Sequence, residues 1–211
     1  MSSHSFIQGP EIAESPCKGD TNRDPLQTQL SDMSYATKPV FLHHGDWDDE
    51  TRQHPALKFM EDYTKAFDNK FYNSEPYSKY MTDDHILIRS TGQTDQGGEA
   101  SLAALKNEIY APFADYHHEG IFEVAFETEQ GWGMIGIATL WWNLAVPGDG
   151  PKQKDGKGKE WEGGTPAAFK FAYRKTGDGI KISETRIMAD PSAAMVAMVK
   201  RGMVKPEQLF G

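Results

Sequence analysis

The chain has 211 residues, of which 38% are hydrophobic and 11% aromatic, and this composition supports one packed core. The formal net charge of −9 argues against nucleic acid or anionic lipid as a partner bound through bulk charge. The single cysteine, Cys17, forms no internal disulfide, no apolar run approaches the roughly 18 residues of a membrane helix, and no secretory pattern opens the sequence. We therefore expect a cytoplasmic protein without membrane segments.

The N-terminal quarter predicts little regular structure. Residues 1–53 combine Pro, Ser, Asp, Thr and Gln without sustained periodicity, which is typical of an irregular arm, although PVFLHH at 39–44 is apolar enough to dock locally. The ordered part begins at His54, where apolar residues recur at three- and four-residue steps. This spacing predicts a first helix over residues 54–70.

The next elements mix short helices with one strand. The segment SEPYSKYM predicts a brief second helix, and HILIRS at 85–90 alternates and is rich in β-branched residues, which predicts a strand. The segment GGEASLAALKNEIYAPF then predicts a third helix that ends near Pro112.

Beyond Pro112 the apolar period changes to two. This pattern predicts four strands, at 117–129, 132–146, 166–175 and 179–188. The Gly- and Lys-rich stretch 147–164 predicts a long loop, and Asp190 with Pro191 begins a terminal helix.

This order of elements predicts an α+β fold in which helices cover one face of a curved antiparallel sheet. At this point the chain resembles the nuclear transport factor 2-like (NTF2-like) superfamily, which includes SnoaL-type polyketide cyclases, ketosteroid isomerase and scytalone dehydratase. The resemblance covers residues 54–190 and rests on AFDNKFY, TDDHILIRSTG, YHHEG, IFEVAFE and GMIGIATLWWNLAV. It implies a cone with three helices on the concave face of the sheet. Residues 191–211 look like the C-terminal helical extension of fungal SnoaL-like proteins.

Two adjacent histidines precede the first long strand, in YHHEGIFEVAFE. Successive strand side chains face opposite ways, so His117 and His118 do not share one cavity, which argues against a metal site. His118 has the parity of Phe122 and is predicted to face inward, whereas His117 is predicted to face outward with no chemical role. An inward His118 is either a general acid or base or a core histidine bonded to a carbonyl. The resemblance to scytalone dehydratase, which has a catalytic histidine here, implies the acid/base role.

Arg89 and Asp68 complete the predicted catalytic set. Arg89 ends the predicted strand at 85–90, where the resembled fold lines its pocket, and a guanidinium there holds a carboxylate, enolate or phenolate oxygen. The alternative for Arg89 is a salt bridge to Asp83 or Asp84. Asp68 resembles the dehydratase aspartate near the end of the first helix, which implies an assistant to the histidine or another base. Its alternative is an ordinary surface carboxylate.

The predicted substrate-binding residues are inward aromatic, apolar and charged side chains. Phenol groups are able to donate a hydrogen bond within an apolar pocket, a lysine beside small alanines leaves space, and an arginine at the open end binds a substrate or forms a surface ion pair. Packing is the alternative for the aromatic members. The set is Tyr63, Tyr72, Leu87, Phe122, Trp142, Lys170 and Arg186.

The strand at 132–146 is apolar at both parities and must therefore be covered on both faces. One cover is the cone, and the other is a helix, the N-terminal arm or a second subunit, so we expect a homodimer.

The sequence contains no dinucleotide fingerprint, P-loop, HExxH or GxSxG motif. We therefore expect a cofactor-free, metal-free cyclase, isomerase or dehydratase for a small, polyketide-like hydrophobic molecule. Against dehydration by the scytalone mechanism, LWWNLAVP lacks the second histidine of the dehydratases. The alternative to an enzyme is a non-catalytic module that binds a hydrophobic ligand or another protein.

Overall fold

The computed structural model describes residues 39–209, so the part of the predicted arm at 1–38 lies outside the described residues. The helices in this region are α1 (Pro55–Asp68), α2 (Gly98–Ala104), which continues as a π turn (Leu105–Ile109), and α3 (Ser192–Lys200). The strands are β1 (Val40–His44), β2 (Met81–Ile88), β3 (Thr94–Gln96), β4 (Phe113–Thr128), β5 (Gly131–Leu144), β6 (Gln153–Lys154), β7 (Glu160–Trp161), β8 (Gly163–Thr176) and β9 (Gly179–Ala189). None of the helices in residues 39–209 is long and apolar enough to span a membrane.

Seven strands form one curved sheet, in the order β1-β4-β5-β8-β9-β2-β3. Neighbouring strands are antiparallel except β2 and β9, which run parallel. Helix α1 and the α2 region pack on one face of the sheet, called the inner face below, and their buried residues join those of the sheet in one core. The predicted α+β class is therefore confirmed. The brief second helix predicted in SEPYSKYM is a 3-10 turn, Tyr77–Lys79, and another 3-10 turn, Phe71–Asn73, precedes it.

Residues 39–53 are more regular than an irregular arm, because β1 pairs with β4 at the edge of the sheet. After β1, the side chain of Asp48 accepts hydrogen bonds from the backbone of Glu50 and Thr51 and so begins a 3-10 turn, Thr51–Gln53. This turn leads into α1 and brings Trp47 to the wall of the main cavity.

Helix α1 is defined by a buried stripe that includes Leu57, Met60 and Phe67, and it begins with Pro55 at its first position. It ends at Asp68, after which Lys70 adopts a left-handed conformation with φ of 57° and reverses the chain. Two bonds fix the helix end against the start of β4. The Lys70 ammonium donates to the carbonyl of Ala114 at 2.7 Å, and the Tyr116 hydroxyl donates to the carbonyl of Phe67 at 3.0 Å.

A bulge in β4 decides which of its side chains face the core. The register of β4 on β5 shifts between Gly120 and Phe122, which inserts Ile121 as an extra residue and reverses the parity beyond it. Glu123 is therefore buried on the inner face, whereas the Phe122 ring packs on His44 of β1. The prediction that Phe122 shares the inward parity of the histidine is wrong.

A second bulge has the same effect on β9. The register of β8 on β9 shifts between Ala172 and Tyr173, where Ser183 is the extra residue. Beyond it Thr185 faces the cavity and Arg186 is exposed on the outer face. The prediction that Arg186 lies at the opening of the pocket is therefore wrong.

Candidate active site

A cavity lies between α1 and the inner face of the sheet, with about 660 Å³ of empty space that includes some open solvent. Its walls come from α1, the α2 region, β4, β5, β8 and β9, and they are mostly apolar because the inner face carries Phe169, Phe171 and Met134. Few polar side chains reach it. They are Tyr63, Thr64, Tyr110, His118, Glu123 and Thr185.

The most polar wall of the cavity holds a histidine–aspartate pair. His118 Nδ1 lies 2.6 Å from Oδ1 of Asp68, and the backbone N–H of His118 donates to Oδ2 of the same carboxylate at 3.1 Å. Both side chains are largely buried, with 12% and 13% of their surface exposed. The structure thus brings together two of the three predicted catalytic residues, Asp68 at the end of α1 and His118 at the start of β4.

Asp68 stays ionised although its position opposes ionisation. Burial and the negative end of the α1 dipole both disfavour a carboxylate here. Burial is the largest single influence on its pKa, but the charge and hydrogen bonds of His118 and His117 outweigh it, so the pKa of Asp68 is lowered. A carboxylate at Oδ1 accepts the Nδ1–H of His118 and fixes the tautomer whose Nε2 carries the lone pair.

His117, which was predicted to face outward with no chemical role, also belongs to this cluster. Its Nδ1 lies 2.9 Å from Oδ2 of Asp68, and its ring stacks on Trp161 at a centroid distance of 6.3 Å. The hydrogen bond to Asp68 raises the pKa of His117, and burial only partly opposes this effect. The rings of both histidines line one small cleft, so the prediction that they do not share a cavity is wrong. One carboxylate reaches both rings.

Tyr110 is hydrogen-bonded to the second ring nitrogen of His118. Its hydroxyl lies 2.9 Å from Nε2, and burial raises the pKa of Tyr110 well above its usual value, so the phenol stays protonated and donates this bond. The Tyr110 ring packs edge-on against Phe67. Asp68, His118 and Tyr110 therefore form one hydrogen-bonded chain along the cavity wall.

His118 borders a second, charged cleft. Trp47, Thr64 and His118 line both spaces, and the smaller cleft also contains Asp68 and His117. The ionised residues Asp46, Arg52, Glu61, Lys65 and Lys157 surround it. The histidine–aspartate pair therefore lies between an apolar cavity and a polar cleft through which water is able to reach it.

Arg89, the third predicted catalytic residue, lies away from the cavity lining. Its guanidinium binds Asp95 through Nε and Nη2 at 2.7 and 2.9 Å, and Glu108 through Nη1 at 2.6 Å. These two carboxylates would compete with any substrate anion for the guanidinium group of Arg89. The salt-bridge alternative is the one observed, although the partners differ from the predicted Asp83 and Asp84.

Of the predicted binding residues, only Tyr63 lines the cavity. The Tyr72 hydroxyl is bonded to that of Tyr116 at 2.8 Å, and Leu87 is fully buried in the core. Trp142 is buried away from the cavity, and its indole N–H donates to Thr165 at 3.0 Å.

The prediction that Lys170 lines the cavity is also wrong. The cavity is lined by the opposite face of β8, which carries the bulky side chains of Phe169 and Phe171. The Lys170 ammonium lies on the outer face and donates to Glu184 at 3.0 Å.

Sequence reasoning missed Tyr110, Trp47 and Glu123 as cavity residues. Gly120, a glycine inside a strand, is a signal that could have predicted the β4 bulge and with it the inward position of Glu123. No comparable signal marks Tyr110 or Trp47, because both reach the cavity from turns.

One group of side chains within residues 39–209 has the composition of a metal site. Ligand atoms of His43, Asp48 and Glu50 lie within 4.8 Å of one another. Asp48 already accepts backbone hydrogen bonds, and His43 Nε2 bonds the carbonyl of Asp46 at 3.0 Å. We therefore interpret these three residues as stabilising the turn after β1 and not as a metal site.

No protein-family model and no curated protein matches the chain by sequence. Similar folds do occur among solved structures. LinA, a hexachlorocyclohexane dehydrochlorinase, matches with a TM-score of 0.50 and 18% identity over 67% of this chain and 90% of LinA. A Kribbella flavida protein matches with a TM-score of 0.52 and 20% identity over 68% and 93% of the two chains. A candidate scytalone dehydratase from Novosphingobium aromaticivorans matches with a TM-score of 0.51 and 12% identity over 67% and 86%.

The chain has the NTF2-like fold. The structural matches cover about two thirds of it, and their low identities establish the fold alone.

Proposed function

We propose that the protein is a cofactor-free enzyme that removes and returns a proton on a small hydrophobic molecule held in the cavity. Isomerisation, cyclisation and elimination on a polyketide-like compound all belong to this class. The observation that carries the proposal is His118, which lines an apolar cavity while Asp68 holds its Nδ1. The elimination named for LinA is a reaction of the same kind, but the proposal rests on this pair.

The proposed roles follow from the hydrogen bonds. Asp68 accepts the Nδ1–H of His118, which leaves the Nε2 lone pair as the base and stabilises the imidazolium that forms after proton transfer. In the resting protein this lone pair accepts the Tyr110 O–H. When a substrate binds, its acidic C–H takes that position, which requires the Tyr110 side chain to move away from Nε2. Arg89 has no part, because Asp95 and Glu108 already occupy its guanidinium.

A deuterium-exchange assay tests the proposal without knowledge of the natural substrate. The protein is incubated in D₂O with 1-tetralone, 2-tetralone and 2-cyclohexenone, and initial exchange rates are followed by NMR. We expect catalysed exchange of at least one ketone, and a loss of roughly 100-fold or more in His118→Gln. His44→Gln is the matched control, because His44 is exposed and packs on Phe122 outside the cavity. Equal exchange by wild type and His118→Gln contradicts the proposal.

The second candidate function is non-catalytic binding, which the mostly apolar wall also suits. If the ketones bind to the protein but no exchange is catalysed, non-catalytic binding is favoured over the proposed enzymatic function.

We also propose that two copies associate through the outer face of the sheet. The backbone register places Leu42, Val124 and Ile135 side by side on this face, and Leu42 and Ile135 are 52% and 41% exposed. Exposed apolar patches of this kind commonly mark interaction surfaces. Sedimentation velocity tests the proposal. We expect a wild-type dimer that dissociates in Leu42→Lys, with Lys58→Glu on the surface of α1 as the control, and a monomeric wild type contradicts it.

A further inference from the structure

Glu123 is a carboxylic acid buried in the cavity wall. Only 2% of the residue is exposed, and it lines the same cavity as His118. Its Oε2 atom is fully buried, and no hydrogen bond from residues 39–209 reaches it. An unpartnered carboxyl group in an apolar wall is costly for folding, so its position calls for a function.

The sheet leaves space for this carboxyl group. The register sets Glu123 beside His43 of β1 and Gly136 of β5, and Phe169 of β8 comes next in the same inner row. Gly136 has no side chain to cover the carboxyl group. At Gly120 an added Cβ would lie 2.6 Å from Oε1 of Glu123. Glycines thus stand both opposite the glutamate and along its own strand.

The surroundings keep Glu123 protonated up to neutral pH. Burial is the main cause that raises its pKa to about 7, and the nearby Asp46 carboxylate raises it further. The facing imidazole of His43 acts in the opposite direction but is outweighed. A neutral carboxylic acid has an O–H to donate, which an ionised one lacks.

Glu123 and His118 stand at two separated places along the cavity. Their β5 partners are Gly136 and Leu140, four residues apart, which corresponds to about 13 Å along the strand. The Phe169 ring bridges this interval, since it lies in the Glu123 row with its centroid 5.8 Å from that of the His118 ring. Glu123, His118 and Phe169 all line the cavity, so a flat molecule packed against this ring would lie near both polar groups.

We propose that Glu123 is a second catalytic residue of the cavity, which donates its carboxylic O–H to the carbonyl oxygen of a ketone or enone substrate of one or two rings. This inference rests on the proposed function, because Glu123 supplies an acid to the carbonyl oxygen of the substrate on which His118 acts as the base.

The step balances within the two side chains. His118 Nε2 takes the proton from the carbon next to the carbonyl, the C–H electron pair forms the C=C bond, and the carbonyl π pair moves to oxygen. That oxygen takes the Glu123 proton. The products are an enol, an imidazolium and a carboxylate. Return of the imidazolium proton to the same or a conjugated carbon, with transfer of the enol O–H proton back to the Glu123 carboxylate, restores both residues.

Binding of 2-tetralone and of tetralin, the same bicycle without oxygen, tests the role of Glu123. Affinities are measured by calorimetry at pH 6 for wild type, Glu123→Leu, Glu123→Gln and the control Glu127→Leu, which changes an exposed glutamate of the same strand. We expect Glu123→Leu to weaken ketone binding about tenfold and to leave tetralin binding unchanged. Glu123→Gln keeps a donor, so it should bind the ketone within a fewfold of wild type.

Exchange rates and infrared spectra separate this inference from the proposed function. We expect Glu123→Gln to lose exchange about 100-fold although it still binds the ketone. The C=O stretch of the bound ketone should shift to higher frequency in Glu123→Leu. If wild type catalyses no exchange but Glu123→Leu shows these binding and infrared changes, the proposed function fails and Glu123 remains the oxygen donor. If Glu123→Leu binds the ketone with wild-type affinity and an unchanged C=O stretch, the inference is overturned.

Discussion

Replacement of Glu123 by glutamine should change how the stability of the protein depends on pH. The pKa of this carboxyl group is about 7 in the folded protein and 4.5 as its unperturbed value. Between these values the folded state holds a proton that the unfolded state has lost, so the Glu123 contribution is fully present below pH 4.5 and is lost as pH rises through 7. At about 1.4 kcal/mol per pKa unit, the loss is about 3 kcal/mol.

The difference between wild type and Glu123→Gln isolates this contribution, because other titrating groups cancel. Urea unfolding followed by tryptophan fluorescence gives the free energy of unfolding at pH 4, 5.5 and 7.5. We expect wild type to lose about 3 kcal/mol relative to Glu123→Gln across this range, whatever the constant offset between them. Glu127→Gln, at an exposed position of β4, should run parallel to wild type. A constant difference between wild type and Glu123→Gln from pH 4 to 7.5 refutes a protonated Glu123.

Three further predictions concern other residues. His85 is fully buried, and burial lowers its pKa to about 4, so its ring resonances should titrate near pH 4 in NMR. Its contribution to stability is present above pH 6.5 and lost as pH falls towards 4, and titration near 6.5 contradicts this. Arg89→Met should lower the free energy of unfolding, measured in urea, by about 2 kcal/mol, because it leaves the Asp95 carboxylate without its partner. Ketone exchange should stay intact. Lost exchange with unchanged stability contradicts the structural role of Arg89. Tyr110→Phe should keep exchange within about tenfold of wild type, since His118 takes the proton directly, and a loss as large as in His118→Gln shows that Tyr110 carries it.

Sequence reasoning predicted the elements well where the period was clear. The four long strands and α1 follow from uninterrupted apolar periods, and the α+β class follows from their order. It also paired Asp68 with His118, because the resemblance aligned the helix end with the strand start. Short elements such as β3 were missed, since three residues carry no usable period.

Predictions of side-chain direction failed where a strand departs from regular pairing. Phe122 and Arg186 were both assigned by counting alternate residues, and in each strand a bulge lies before the residue. One extra residue moves every later side chain to the other face. The same shift carries Glu123 into the cavity, so the error at Phe122 and the missed glutamate have one cause.

Arg89 shows a different limit. Whether a guanidinium is free for a substrate depends on which carboxylates reach it, and Asp95 and Glu108 approach from β3 and the π turn. Neither contact follows from local spacing. Tertiary packing alone decides which carboxylates reach Arg89.

The sequence by itself determined the composition of the core, the order of the long elements and a histidine near an aspartate in the fold. The first two depend on apolar periodicity, which acts over a few residues, and the third followed from the resemblance to the dehydratases. The tertiary structure decided that Asp68 joins both histidines, that Tyr110 faces His118 Nε2 and that Glu123 is buried in the cavity without a partner among residues 39–209. These contacts join residues distant in the chain or depend on strand register, and burial in the assembled cavity is what shifts the pKa of Glu123.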